Sequence, residues 1–225
     1  MREIIIITEG PTEQEFISKI LIPFFTEKGI YRVYPKTIKT SKDHYGGLLK
    51  YNKLKNDLGR HLSTKHGSII TTLIDYFHLP ESMPNYATCQ SKRTIDEKID
   101  CLITGLASDI EEINENIFLP YIQKHEFEAL LFSNISWGSA ILNEKGCKRL
   151  SDIVEKYANP EDINEGNDTS PSNRLLKIFK DCSGERYNKV IFGELIASEI
   201  GINTIIKQCP RFSKWINTLV ALAGS

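Results

Sequence analysis

Residues 3–15 read Glu-Ile-Ile-Ile-Ile-Thr-Glu-Gly-Pro-Thr-Glu-Gln-Glu, and no other stretch limits the fold as strongly. Four consecutive β-branched residues, Ile4 to Ile7, suit a strand buried on both faces, as in a parallel sheet covered by helices. The run stops at Glu9-Gly10-Pro11, where glycine permits a turn and proline fits the first position of a helix. Thr12 to Gly29 then carries Phe16, Ile20 and Phe24, with Ile17 and Leu21 beside them, as a helical stripe. Glu9 is therefore expected at the carboxyl end of a central strand, pointing into the crevice where open α/β sheets place ligands. Glu13 lies one helical turn further on and on the same side.

The strand-then-acid pattern recurs. A short strand is expected around Ile30 to Ile38, a polar loop from Thr40 to Gly47, and a helix from Leu48 to Leu62. Ser68 to Asp75 is a second strong strand ending in an acid. His78 to Thr88, with Pro80 and Pro84, reads as an extended loop over the site, and Thr94 to Ile113 as an acidic amphipathic helix. Ile117 to Gln123 is a third apolar strand running into Lys124-His125-Glu126-Phe127-Glu128. Beyond Ser133 the pattern is helical: Asn159 to Arg174 reads as a surface loop before a helix at Arg174 to Lys180, and Leu195 to Leu222 as two helices around Gly201 and Pro210. This order gives an α/β fold with a mainly parallel central sheet flanked by helices and a mostly helical C-terminal part. The expected division is a core over residues 1–133 and a helical extension over 134–225 packed on it.

Parallel strands put their carboxyl ends on one edge, so Glu9, Asp75 and the pair Glu126 and Glu128 are expected to meet there, with Glu13 beside them. For each acid alone the plainer reading is structural: Glu13 suits the first turn of a helix, and Glu9 suits a solvated loop. Several unpaired carboxylates in one place are costly without a proton or a cation. Hard divalent ions such as Mg²⁺ or Mn²⁺ prefer carboxylate oxygens, and one or two of them clamping a phosphodiester would give hydrolysis. His125 reads either as a general base or as a histidine satisfied at a strand-helix junction. Lys124 reads as a cation that neutralises transition-state charge or as a solvated lysine. Arg174 is the preferred phosphate contact in the 160–174 segment.

Composition narrows the alternatives. A formal charge of −1 excludes a polycationic nucleic-acid binder, yet the charges are segregated. From Tyr31 to His66 nine Lys or Arg stand against two Asp, and from Asp96 to Glu115 seven acids stand against one Lys. The basic segment, with Tyr31, Tyr34, Tyr45 and Tyr51, suits a surface that grips phosphates and stacks bases, or else a solvated helix face and connector. No apolar run approaches a membrane span, and Ile4 to Ile7 is too short for a signal-peptide core. The five cysteines lack paired zinc spacing and read as reduced core residues of a cytoplasmic protein. Neither a Walker A loop nor a Gly-x-Gly-x-x-Gly is present.

Glu9-Gly10-Pro11-Thr12-Glu13 after a β-branched strand, with an acid closing a later strand, resembles a Toprim domain of the kind found in OLD-type nucleases. Tyr121 to Phe132, Pro160 to Gly166, Pro171 to Leu175 and Gly201 to Trp215 resemble an uncharacterised bacterial family of Toprim-like proteins encoded beside AAA or SMC-like ATPases in defence loci. The resemblance implies a Toprim-like fold, Mg²⁺ or Mn²⁺ held by Glu9, Glu13 and Asp75, nucleic acid (DNA or RNA) as substrate, and an ATPase partner. It allows a homo-oligomer and gives no role to a membrane. One departure stands out: Toprim domains show Asp-x-Asp, whereas Tyr76 and Phe77 follow Asp75, so that either one ion is held weakly or Glu126 and Glu128 supply the missing oxygen ligands. The alternative is a non-catalytic regulatory or binding subunit on the same scaffold. Primase-like nucleotidyl transfer finds no primer-synthesis module here.

Overall fold

The computed structural model describes residues 1–38, 50–77, 79–112, 114–164 and 166–224. The expected loop at Thr40 to Gly47, with Tyr45, lies outside the described residues, as do Leu48, His78, Ile113 and Glu165. Among the described residues five strands form one sheet in the order β2-β1-β3-β4, with β5 also on β3. They are β1 (Ile4–Thr8), β2 (Val33–Thr37), β3 (Ile69–Asp75), β4 (Ile117–Leu119) and β5 (Ile122–Gln123), and all their pairings are parallel.

The isoleucine run explains the layers. Successive side chains of a strand point to opposite faces, so Ile4 and Ile6 join one hydrophobic cluster while Ile5 and Ile7 join another. The first cluster is covered by α1 (Pro11–Phe16), a π-helical turn (Ile17–Leu21), α2 (Ile22–Glu27) and the C-terminal helices. The second is covered by α3 (Tyr51–Thr64), α4 (Tyr86–Gln90) and α5 (Ile95–Asp109). The π turn was not legible in the stripe of apolar residues. Pro23 has no N–H for the carbonyl of Lys19, and the helix widens just before it, with Ile22 N–H donating to Ile17.

The third strand is broken where one continuous strand was expected. Pro120 cannot donate to a ladder, and two threonine hydroxyls of β3 take over: Thr71 donates to the Leu119 carbonyl, while Thr72 donates to the Tyr121 carbonyl and accepts its N–H. Beyond the break the chain forms a 3₁₀ turn (Phe127–Phe132), α6 (Gly138–Ile141), α7 (Glu144–Val154), two further 3₁₀ turns, α8 (Pro171–Cys182), α9 (Lys189–Ile200), α10 (Ile202–Gln208) and α11 (Pro210–Gly224). Trp215 of α11 donates its indole N–H to Thr71 at 2.8 Å and stacks on Tyr121 with ring centroids 4.5 Å apart. Among the described residues no helix is long and apolar enough to cross a membrane.

The expectation of five reduced cysteines is corrected. Cys89 of α4 and Cys101 of α5 form a disulfide, because the two helices pack side by side and bring their Cα atoms to 5.4 Å. Spacing in the sequence gave no sign of this contact. Cys147, Cys182 and Cys209 are free thiols.

The segregated charges also meet one another. Tyr51, offered as a base-stacking residue, is buried, and its hydroxyl donates to Asp109 at 2.6 Å, where Lys55 also pairs at 2.8 Å. Arg60 pairs with Asp57 and Lys65 with Glu3. Lys55, Arg60 and Lys65 of the basic segment are thus paired with acids of the same fold, and burial takes Tyr51 out of any base-stacking surface. Tyr31 and Tyr34 remain exposed.

Candidate functional site

The register places the acids. Thr8 of β1 lies opposite Leu73 of β3, so Glu9, one step past the ladder, falls level with Ile74 and next to Asp75. The Asp75 N–H points at Glu9 Oε2, 3.5 Å away, a long contact. On the other side Asp75 Oδ1 accepts the N–H of Phe127 at 2.9 Å. Asp75 therefore sits between the loop after β1 and the turn after β5.

Glu13 reaches the same rim from the first turn of α1. Its carboxylate folds back over Gly10, with Oε2 3.2 Å from where a Cβ would stand, so a larger residue there would push the Glu13 carboxylate aside. Gln14, beside it, accepts from Thr37 of β2, whose hydroxyl also meets Thr8. These contacts fix the start of α1 against the ends of two strands.

Electrostatics confirm that these groups sense one another. Burial pushes Glu13 from 4.5 up to about 7; backbone N–H groups oppose the shift, and the charges of Glu128 and Glu9 add to it. Asp75 is pushed well above the carboxylate range by burial, then by Glu13, Glu9, Glu128 and Glu126. Glu128 is raised by burial and by Glu126, while Lys189 opposes the shift.

The two later acids are already engaged. Glu126 accepts the N–H of Ser172 at 2.9 Å and its hydroxyl at 3.0 Å, at the N-terminus of α8. Glu128 Oε1 lies 3.1 Å from Lys189 Nζ, near enough for charge pairing but outside hydrogen-bonding alignment. Lys189 is the first residue of α9, the end of a helix where a cation is disfavoured. Its position is explained by the acids it faces. Sequence reasoning missed Lys189 and Ser172, although a lysine placed against the helix dipole was a readable signal.

His125 adopts φ 64, rare for a residue with a Cβ. Burial, followed by the charge of Lys124, lowers it to about 4, so it is neutral at pH 7. Asn164 donates to its Nδ1 at 3.2 Å, which leaves the ring proton on Nε2. The expectation for Lys124 is corrected. Its ammonium lies 2.6 Å from both Asp96 and Asp162, an ion-pair knot between α5 and the 3₁₀ turn at Pro160–Asp162. The knot forms because the lysine is mostly buried and two carboxylates lie within reach. Arg174 holds its own segment, donating from Nε to the Thr169 carbonyl and from Nη2 to Tyr157 Oη.

Among the described residues no group of three or more His, Cys, Asp or Glu side chains is disposed, as it stands, to hold a metal ion. The donor chemistry nonetheless suits a hard divalent ion. Glu9, Glu13 and Asp75 offer oxygen only, and Glu13 and Asp75 are lifted first by burial and then by the charges of neighbouring carboxylates, which a cation would offset.

The protein family described as "Domain of unknown function (DUF4276)" matches residues 8–220. No curated protein matches the sequence. Among solved structures, the C-terminal region of the Xanthomonas campestris pv. campestris OLD protein resembles the chain in outline. That alignment covers 99% of this chain and 94% of the other at 12% identity, with a TM-score of 0.44.

Proposed function

The chain belongs to the DUF4276 family, and we propose that it is a divalent-metal-dependent nuclease with a Toprim-like core at residues 1–133 and a helical extension at 134–225. The observation that carries the proposal is the meeting of Glu9, Glu13 and Asp75 at one rim, two of them lifted by burial and mutual repulsion. Groups perturbed in this way concentrate at functional sites. A bound Mg²⁺ or Mn²⁺ supplies an activated water and charge neutralisation at a phosphodiester.

The residues then divide by role. Glu9, Glu13 and Asp75 would hold the ion. Glu126, anchored on Ser172 through one hydrogen bond to each oxygen, keeps a lone pair on each with which it would join them. Glu128 shapes the charge of the rim together with Lys189. Neutral His125, with its proton on Nε2, presents a donor to a phosphate oxygen. The role in bacterial antiviral defence, the AAA or SMC-like ATPase partner and self-association rest on the family resemblance of residues 121–132, 160–166, 171–175 and 201–215.

The test has two arms. Calorimetry with Mn²⁺ on the wild type, Glu9→Ala and Asp75→Asn reads ion binding without any substrate; loss in both variants is expected. Incubation with DNA and RNA in Mg²⁺ or Mn²⁺, with and without the ATPase, reads cleavage. Absence of cleavage in every combination, or cleavage undiminished by Glu9→Ala, defeats the proposal. A second reading, a non-catalytic subunit of the ATPase complex, is favoured by Tyr76 and Phe77 after Asp75 and by the engagement of Glu126 and Glu128. It requires that the wild type bind no divalent ion.

A further inference from the structure

The acid rim does not account for a cleft beside it. Between α8 and the start of α9 lies a cavity of 480 Å³ lined by Leu176, Lys177, Lys180, Arg186 and Tyr187, with Glu185 as its acid. The size falls within the range of about 300–1,000 Å³ for small-molecule sites. Its cations differ in their engagement. Lys177 donates to the Asp168 carbonyl at 2.8 Å. Lys180 and Arg186 are exposed, and neither makes an ion pair with a described residue.

Tyr187 joins the cleft to the rim. It is 5% exposed, its ring packs on Phe179 at 5.0 Å, and its hydroxyl is buried with no hydrogen-bond partner. Burial pushes that hydroxyl well above its ordinary range, and the charges of Glu128 and Glu126 add to the push.

We propose that this cleft binds one nucleotide unit of a single strand, with Lys180 and Arg186 on its phosphates and Leu176 against the base. Charge complementarity selects the ligand: free cations at the rim of an apolar floor suit a phosphodiester strand, in which charge and flat apolar bases alternate. The proposal takes its purpose from the nuclease reading. Its test does not depend on that reading.

Fluorescence anisotropy of labelled 12-nucleotide single strands, one DNA and one RNA, is measured in EDTA across a salt series. The wild type should bind at least one of them, and the two arms tell which sugar is preferred. Lys180→Glu with Arg186→Glu should weaken binding tenfold or more. It should also flatten the log–log salt slope by about 1.4, near 0.7 for each lost phosphate contact. Lys19→Glu with Lys207→Glu, an equal charge change at exposed sites elsewhere, should change affinity less than threefold. A wild type that binds neither strand, or two charge-reversed pairs that lose affinity equally, overturns the cleft. Intact cleft-dependent binding without cleavage in Mn²⁺ instead removes the nuclease reading alone.

Discussion

Two parts of this molecule gather carboxylates, and they treat them in opposite ways. Beside α5, Asp96, Asp100 and Asp162 close around cations: Lys124 lies 2.6 Å from Asp96 and Asp162, and Arg211 lies 3.2 Å from Asp96 and 2.7 Å from Asp100. Burial alone would lift Asp96, yet hydrogen bonding and charge from Lys124, with Arg211, hold it below its usual range. At the strand ends Glu13 and Asp75 are lifted, and the one nearby lysine pairs with Glu128. The same side-chain chemistry thus serves cohesion in one place and is left frustrated in the other. The first cluster is matched by two cations, whereas at the second Lys189 pairs with Glu128 and leaves Glu13 and Asp75 lifted.

The strongest way to break this contrast is to remove a rim acid. Asp75→Asn is expected to reduce Mn²⁺-dependent cleavage on the order of 100-fold or more, as for the loss of a metal-binding group, while stabilising the metal-free protein. Coincident cleavage assays and thermal melts in EDTA check both signs, and a destabilised Asp75→Asn would place Asp75 among the structural acids. Next comes Lys124→Met, which leaves Asp162 without its cation and Asp96 with Arg211 alone. The cost should be about 2–3 kcal/mol, below that of a fully buried pair because Asp96 is 48% exposed. Denaturant midpoints measure it, and Mn²⁺ binding should stay as in the wild type.

Acidity separates the regions more finely. Glu13 has a folded pKa of about 7 against an ordinary 4.5. Its contribution to stability is therefore fully present below about pH 4.5 and is lost as pH rises through about 7. In EDTA the melting temperature should climb a few degrees between pH 7.5 and pH 5, and Mn²⁺ should flatten the climb. Asp96, with its lowered pKa, contributes nothing to that window; its stabilisation fades only below its ordinary 3.8. A flat profile in EDTA would erase the distinction. The smallest effect is expected from Tyr51→Phe, which deletes one hydrogen bond to Asp109 on the paired side and should cost about 1 kcal/mol or less.

The sheet was legible because Ile4 to Ile7, Ser68 to Asp75 and Ile117 to Gln123 announce buried parallel strands, and such strands force their terminal acids to one edge. Glu9, Glu13 and Asp75 followed from that alone. What stayed hidden depends on contacts between distant segments. Lys124 looks like any solvated lysine until α5 and the turn at Pro160–Asp162 arrive beside it. Tyr51 suggested stacking until α3 packed on α5. The Cys89–Cys101 bond and the partners Ser172 and Lys189 likewise depend on how helices dock, which no local pattern encodes.

The rim also has a history in time. Its strand acids come from the first third of the chain, whereas Ser172 and Lys189, which hold Glu126 and Glu128 in place, come from the last. A chain emerging N-terminus first at about 5–20 residues per second thus passes several seconds with Glu9 and Asp75 synthesised and their frame still unmade. The frame around Glu126 and Glu128 is therefore complete only once α9 has left the exit tunnel.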